Sequence, residues 1–411
     1  SPACGVHRAA IRHWLTVFQN DASISAVYES VSWAEKQYFE EDKPIKKRRQ
    51  CMKTIDLTPN EYRASPPSRD IVESYGIAMV GCGSIAQGSH LPAYRDFGYR
   101  VVAVCDVVEK TAREVAGLYD IPYWTTDLDD VLGRSDVDVI DLAVRPSVRL
   151  ELVKRIAPAG KHILSQKPLA PTFREAEEIV SVCERAGVTL MVNQQARWAP
   201  YHKAVKLLID RGILGDLFSM VNFHRQNQDA LRQWTDVLDF TIIDNGIHYV
   251  DLSRYFSGRT PKRVMATAAM KPGQNAMSPM VYTLLGHYEP DDLTSALHFN
   301  NIATGMHHSP YLWYIDGTEA SVSIARYGSL RDGRTELSIA FKDRPDQRDV
   351  ILIEGSWAVE AWGGTMGEML TALAESRTPE ASGRDNLDSI RMTNAGVESY
   401  KSGLAVEVSE V

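Results

Sequence analysis

From Gly76 onward the chain alternates short runs rich in apolar and β-branched residues with longer segments whose polar residues recur at helical spacing. IAMV at 77, VVAVC at 101, VDVIDLAV at 137, HILS at 162 and TLMV at 189 read as strands. Between them, VEKTAREVAGLYD, SVRLELVKRIAPAG and FREAEEIVSVCERAG read as helices with one polar face. Strand, helix, strand at this spacing implies right-handed crossovers. The expected fold over residues 76–197 is therefore α/β, with a doubly wound parallel sheet.

Residues 198–411 follow a different rhythm. Helical stretches at 201–211 and 240–256 give way to VYTLLGHYE, SALHFNN, YLWYIDG, ASVSIARY, ELSIAFK and DVILIEG, joined in places by turns such as EPDD and RDGR. That is the mark of a large, mostly antiparallel open sheet in an α+β domain, closed by helices at 363–376 and 385–402. Val281 and Leu285 on one face and Met280, Tyr282 and Leu284 on the other make the sheet apolar on both sides. Its own helices cover one side, so a homodimer or homotetramer built through the other is expected.

Residues 1–75 are expected to form an arm. HRAAIRHWLTVF and ISAVYESVSWAEKQYF read as short amphipathic helices, and PNEYRASPPSRD as an extended connector broken by proline. Because the chain begins with Ser1 and Met52 follows the basic run KPIKKRRQ, part of this segment is expected to be upstream sequence; the rival expectation is an arm wrapping a neighbouring subunit.

Composition narrows the function. With 44% hydrophobic and 24% charged residues the chain has the make-up of an ordinary globular protein. A net charge of −8 argues against a nucleic-acid partner, and KPIKKRRQ reads as a solvated linker. The five cysteines are scattered and never spaced as CxxC, so neither a disulfide framework nor a zinc knuckle is expected. No apolar run approaches the roughly 18 residues of a membrane span. A cytoplasmic protein with no membrane partner is the expectation.

Three motifs carry chemistry. In GIAMVGCGSIAQ, Gly81 and Gly83 follow an apolar strand and lead into a helix, with Ala86 in the third position of GxGxxG/A; the backbone from Gly81 through Ser84 and Ile85 would face a dinucleotide pyrophosphate. Asp106, 25 residues after Gly81, ends the next strand, where a carboxylate binds ribose hydroxyls and repels a 2'-phosphate; NAD is expected over NADP. The plain alternative for Asp106 is a helix cap. SQKPLA sets Lys167 at the carboxyl end of the HILS strand, the edge at which such sheets bind ligands. In FTIIDNGIHYVDLSRYF, Asp244, His248 and Asp251 align at helical spacing, an imidazole between carboxylates, and Gly246 is read as admitting close backbone approach to a ligand. His307 and His308 are adjacent and face apart, so no metal site is expected. His308 and Tyr311 remain candidates to line a substrate pocket, and Trp234 and Trp313 either stack on a sugar or fill the core.

Together these motifs resemble the glucose-fructose oxidoreductase and inositol dehydrogenase (Gfo/Idh/MocA) family, with its Rossmann domain, EKP-like strand end and DxGxH helix. The likeness spans about 76–411, including GDLFSMVNF, DGTEASVSI and SGRDNLDSIRMTNAGVESYKSGLAVEV. It implies an NAD(P)-dependent dehydrogenase acting on a sugar, glycoside or cyclitol hydroxyl, with Lys167, Asp244 and His248 as the catalytic group. It also implies that Asn193 lies near the nicotinamide, and that Arg197 and Trp198 lie near the substrate, although an interdomain ion pair is the alternative for Arg197. Gln166 stands where the family's usual Glu precedes the lysine, in contact with the cofactor, which removes a negative charge near the nicotinamide. Two other activities share this scaffold: an NAD-dependent glycosidase or lyase using transient oxidation, and a non-catalytic sugar- or dinucleotide-sensing regulator.

Overall fold

The computed structural model describes Ile55 and residues 57–229, 238–305, 311–328 and 333–411. The two N-terminal helices expected above, the basic run, Met52, Trp234, His307, His308 and part of the RDGR turn lie outside the described residues. One compact unit spans Leu57–Val411.

Aliphatic and β-branched runs form the first sheet. Its strands are β1 (Ile77–Val80), β2 (Val101–Cys105), β3 (Trp124–Thr125), β4 (Val139–Leu142), β5 (His162–Gln166) and β6 (Leu190–Asn193), in the order β3-β2-β1-β4-β5-β6. All pairs are parallel. Every residue of β1 is buried, because helices lie on both faces of the sheet. The helix Phe173–Ala186 shows why its sequence stops and starts where it does: Thr172 Oγ1 accepts the Glu175 N–H at 3.3 Å, and Gly187 ends it at φ 68°. It packs Ile179, Val180 and Cys183 on the sheet beside Val153 and Ile156 of the helix Arg149–Ile156. Each such aliphatic side chain contributes roughly 1.5–3 kcal/mol by burial. The strand order reverses between β1 and β4, and the residues after β1, β4 and β5 meet at that crevice.

The second sheet comprises, among the described residues, β7 (Leu217–Arg225), β8 (Arg263–Ala269), β9 (Val281–His287), β10 (Thr294–Asn300), β11 (Tyr311–Gly317), β12 (Ala320–Tyr327), β13 (Arg334–Phe341), β14 (Arg348–Ile353) and β15 (Val406–Glu407). Their order is β14-β13-β12-β11-β7-β10-β9-β8-β15. Only β7 and β10 pair in parallel. The helices Ile247–Ser257 and Gly383–Ser402 pack on the inner face. On the outer face, Met265, Leu285, Ala296, Val221 and Tyr314 stand in one cross-strand row, and His298, Phe223, Leu312 and Ala325 in the next. Phe223, Met265, Leu285 and Tyr314 are exposed there, at 44–46%.

The stretch read as an extended connector, residues 59–70, opens with a short helix, Pro59–Tyr62, and its last two residues begin a second, Arg69–Ser74. Local chemistry favours the first: Pro59 opens it and Glu61 Oε2 accepts the Thr58 N–H at 2.8 Å. Tyr62 is buried and its hydroxyl accepts the Glu354 N–H at 3.2 Å, while Arg63 pairs with Glu360 at 3.0 Å.

Candidate active site

The glycine turn after β1 is built by two different constraints. Gly81 has φ 92°, and a Cβ there would lie 2.8 Å from both Ala143 O and Val144 Cγ1. At Gly83 a Cβ would meet nothing within 4 Å, and this residue lines a cavity of about 560 Å³. Asp106 braces the turn from β2: Oδ2 accepts the Cys82 N–H at 2.8 Å and Oδ1 the Val108 N–H at 2.9 Å.

Gly83, Ser84, Ile85, Gln166 and Lys167 form one wall of the cavity. Asp244, Asn245, His248 and Tyr249 form the other with His224, Gln226 and Gln228, and Trp357, Trp362 and the loop after β4, Ala143–Pro146 with Arg149, also line it. Across the gap Lys167 Nζ donates to Asp244 Oδ2 at 2.9 Å and to Asp244 O at 2.8 Å, with only 14% and 17% of the two side chains exposed. Asp244 sits in a widened π-helical turn, Thr241–Gly246, that runs into the helix Ile247–Ser257. Gly246 is required by packing, correcting the expectation of ligand approach: a Cβ would be 3.0 Å from Thr241 O and 3.1 Å from the Phe299 ring.

His248 is 7% exposed, its Nδ1 has no hydrogen-bond partner, and its ring meets Trp357 edge to face at 5.8 Å. Burial first, and then the Lys167 ammonium, hold its pKa well below the usual 6.5 and the ring neutral. His224 is a second cavity imidazole; its Nδ1 is 2.8 Å from the Tyr249 hydroxyl, and burial pushes it down to about 3.

Several expected residues stand outside the cavity lining. Arg197 is fully engaged elsewhere: Nε and Nη2 hold Asp251 at 2.7 Å each, Nη2 also donates to Asp385 at 2.7 Å, and Nη1 donates to Glu380 O at 2.8 Å. Asp251 therefore faces this ion pair, and the single carboxylate, imidazole, carboxylate face expected from the sequence is split. Trp198 is buried with its Cβ 2.9 Å from a Cβ built on Gly364. Asn193, beside Gln166 in the sheet, is completely buried with neither amide atom partnered. Tyr311 and Trp313 are core residues, the Tyr311 hydroxyl bonding to His202 Nε2 and accepting from Trp313 Nε1.

Sequence reasoning passed over Arg149. Its guanidinium is 1% exposed, donates to Val144 O at 2.6 Å and to Pro168 O, and ties the loops after β4 and β5 together on the cavity wall. Burial lowers its pKa to about 9, which leaves it charged at neutral pH. The signal was present: Arg149 shares the buried stripe of its helix with Val153 and Ile156. His224, Trp357 and Trp362 carried no such signal, because they reach the cavity from β7 and from the helical segment that begins at Trp357, both far in sequence from the three motifs.

The description "oxidoreductase family, NAD-binding Rossmann fold" matches residues 75–194, and "GFO/IDH/MocA C-terminal domain" matches residues 202–323. The chain is 27% identical to a D-apiose dehydrogenase of Paraburkholderia graminis, over 83% of this chain and 91% of that one. Among solved structures, an oxidoreductase from Agrobacterium radiobacter in complex with NAD+, L-tartaric acid and magnesium superposes with a TM-score of 0.71 at 23% identity, covering 82% of this chain and 99% of that one. A levoglucosan dehydrogenase in complex with NADH and levoglucosan gives 0.69 at 21% identity, covering 81% and 99%.

Proposed function

The chain belongs to the GFO/IDH/MocA oxidoreductases, and on that premise we propose that it is an NAD(P)-dependent dehydrogenase of a sugar, glycoside or cyclitol hydroxyl. The observation that carries the reading is the convergence of Lys167, Asp244 and His248 on the cavity that Gly83 also lines.

The residues present fit a dinucleotide. Open space at Gly83, beside a turn that Gly81 and Asp106 fix, admits a pyrophosphate against backbone N–H groups. Gly81, Gly83, Ser84 and Ile85 would hold it, with Gln166 toward the nicotinamide; Asn193, buried behind Gln166 in the sheet, would support that wall without touching the cofactor. NAD supplies the hydride acceptor. Asp106 at the end of β2 favours NAD over NADP, since a 2'-phosphate would meet its carboxylate.

The protein's own groups handle the proton and the charge. An ammonium has three N–H donors; Asp244 takes two of Lys167's, and the third is available to the substrate oxygen, where it stabilises the developing alkoxide. Neutral His248 accepts the hydroxyl proton, and Asp244 balances the lysine charge and orients the sugar. Protonating His248 abolishes the base, so kcat/KM for oxidation falls with decreasing pH, the fall lying below pH 6.5 because the imidazole is depressed. Lys167→Ala and His248→Ala should retain NAD binding by calorimetry while kcat drops by about 10²–10⁴-fold; unimpaired turnover would overturn the assignment.

The finer setting follows the same lines. The exposed apolar rows of the second sheet support self-association into a dimer or tetramer, and no helix among the described residues is long and apolar enough to cross a membrane. Cys82, Cys105 and Cys183 are buried free thiols, which fits a reducing cytoplasm.

A further inference from the structure

Behind Lys167 runs a chain of buried polar side chains of which the roles above use only Gln166. Gln166 is 6% exposed, and His90, Asp141 and Tyr94 are completely buried. The Lys167 N–H meets Gln166 Oε1 at 2.7 Å, and Gln166 Nε2 lies 2.9 Å from His90 Nε2. His90 Nδ1 is 2.7 Å from Asp141 Oδ2, and the Tyr94 hydroxyl donates to the same oxygen at 2.5 Å.

One fixed donor sets the direction of every bond. A backbone N–H only donates, so the Gln166 atom facing Lys167 is the amide oxygen and the opposite end is the NH₂ group. That group only donates, so His90 Nε2 accepts and carries no proton. The ring proton is therefore on Nδ1 and goes to the Asp141 carboxylate. The other groups about the site are the Trp362 ring at 6.3 Å from the imidazole, Tyr99 edge-on to Tyr94, and Arg149, whose charge acts on Asp141 through space.

We propose that His90 is a positioning residue: held neutral between Asp141 and Gln166, it orients the Gln166 amide, which in turn fixes the backbone that carries the Lys167 ammonium. The consequence for turnover rests on the role given to Lys167 above; the proton position does not. Glutamine at 166 is what this arrangement requires. A glutamate there would set a carboxylate oxygen against an imidazole lone pair, and the chain would close only by taking up one more proton, on His90 Nε2, between two carboxylates.

Side-chain nitrogen NMR of histidine-labelled protein tests the proton position, with His90 picked out from the 11 histidines by its loss in H90Q. The natural chain should show a neutral imidazole protonated on Nδ1; a proton on Nε2 overturns the proposal whatever the enzyme turns over. In Q166E the same ring should become doubly protonated. Because the chain then needs that proton, kcat should gain a limb absent from the natural protein, falling by about tenfold as pH rises and the proton is lost. Adding H90Q to Q166E supplies an amide N–H in place of the proton and should remove the limb. A Q166E profile identical to the natural one, or a limb that survives H90Q, overturns the positioning role. Should Lys167→Ala leave turnover intact while the His90 spectra come out as expected, the dehydrogenase reading fails and the hydrogen-bond chain stands.

Discussion

Gly81 and Gly83 look alike in the sequence, yet the structure separates what each one does. Gly81→Ala forces a side chain into a left-handed backbone and against Ala143 O, so it should lower unfolding free energy by about 1–3 kcal/mol in denaturant melts. A Cβ at Gly83 meets no neighbour within 4 Å, so in Gly83→Ala stability should hold while calorimetry shows NAD affinity weakened by at least about tenfold, the methyl entering the space beside the turn. Equal losses of stability in both variants would contradict this division. Single residues were legible where chemistry and position coincide: Lys167 at a strand end and His248 on a helix do line the cavity. They were illegible where the partner decides. The ion pair weighed as the alternative for Arg197 is what the structure shows, but nothing in NQQARW names Asp251 and Asp385 as its partners, and nothing around Gly246 says that the Phe299 ring lies against it.

Arg197 joins the turn Gln195–Trp198 to the helices Ile247–Ser257 and Gly383–Ser402, and Arg254 repeats the link with Asp385 at 3.0 Å and Ser389 at 2.9 Å. Removing one partner strands buried charge, so Arg197→Met should cost about 3–5 kcal/mol of stability by denaturant titration, a loss unrelated to substrate binding. Burial acts to raise the Asp385 carboxyl, but Arg197 and Arg254 outweigh it and hold it below its usual value. Its contribution is thus present above the unfolded carboxylate range and is lost as pH falls through the folded value. At this scale the first sheet was almost fully legible, because its strands are short apolar runs separated by helices of matching length. The strands β7 and β8 were not. In RVMATAA small residues fill both faces and blur the alternation, and LFSMVNFHR mixes buried Asn222 and His224 with exposed Phe218 and Phe223.

For the molecule as a whole, acid stability is set by imidazoles as well as by carboxylates. Burial pushes His202 and His224 down to about 3, so between that value and the unfolded pKa near 6.5 the unfolded chain binds protons that the folded one refuses. Unfolding free energy should therefore decline steadily as pH drops from about 6.5, and His224→Gln should flatten the slope in melts across that interval. A slope unchanged in H224Q would show that His224 takes up protons while folded. The outer face of the second sheet invites a separate measurement: Leu285→Asp combined with Phe223→Asp should reduce the sedimentation mass to that of a monomer while leaving the fold intact, since both side chains point away from the core. The sequence announced that face through its two-sided apolar strands, but it could not reveal which residues form continuous rows, because register is a property of paired strands.

The pairing of Lys167 with Asp244 carries a selectivity of its own. A guest hydroxyl accepts the third ammonium N–H and directs its own proton to His248, so an isolated alcohol has no donor left for the Asp244 carboxylate. Vicinal diols have a second hydroxyl for that purpose, one group accepting from nitrogen while its neighbour donates to oxygen. The cleft should thus favour polyols over simple alkanols, which kcat/KM across the two classes would read directly.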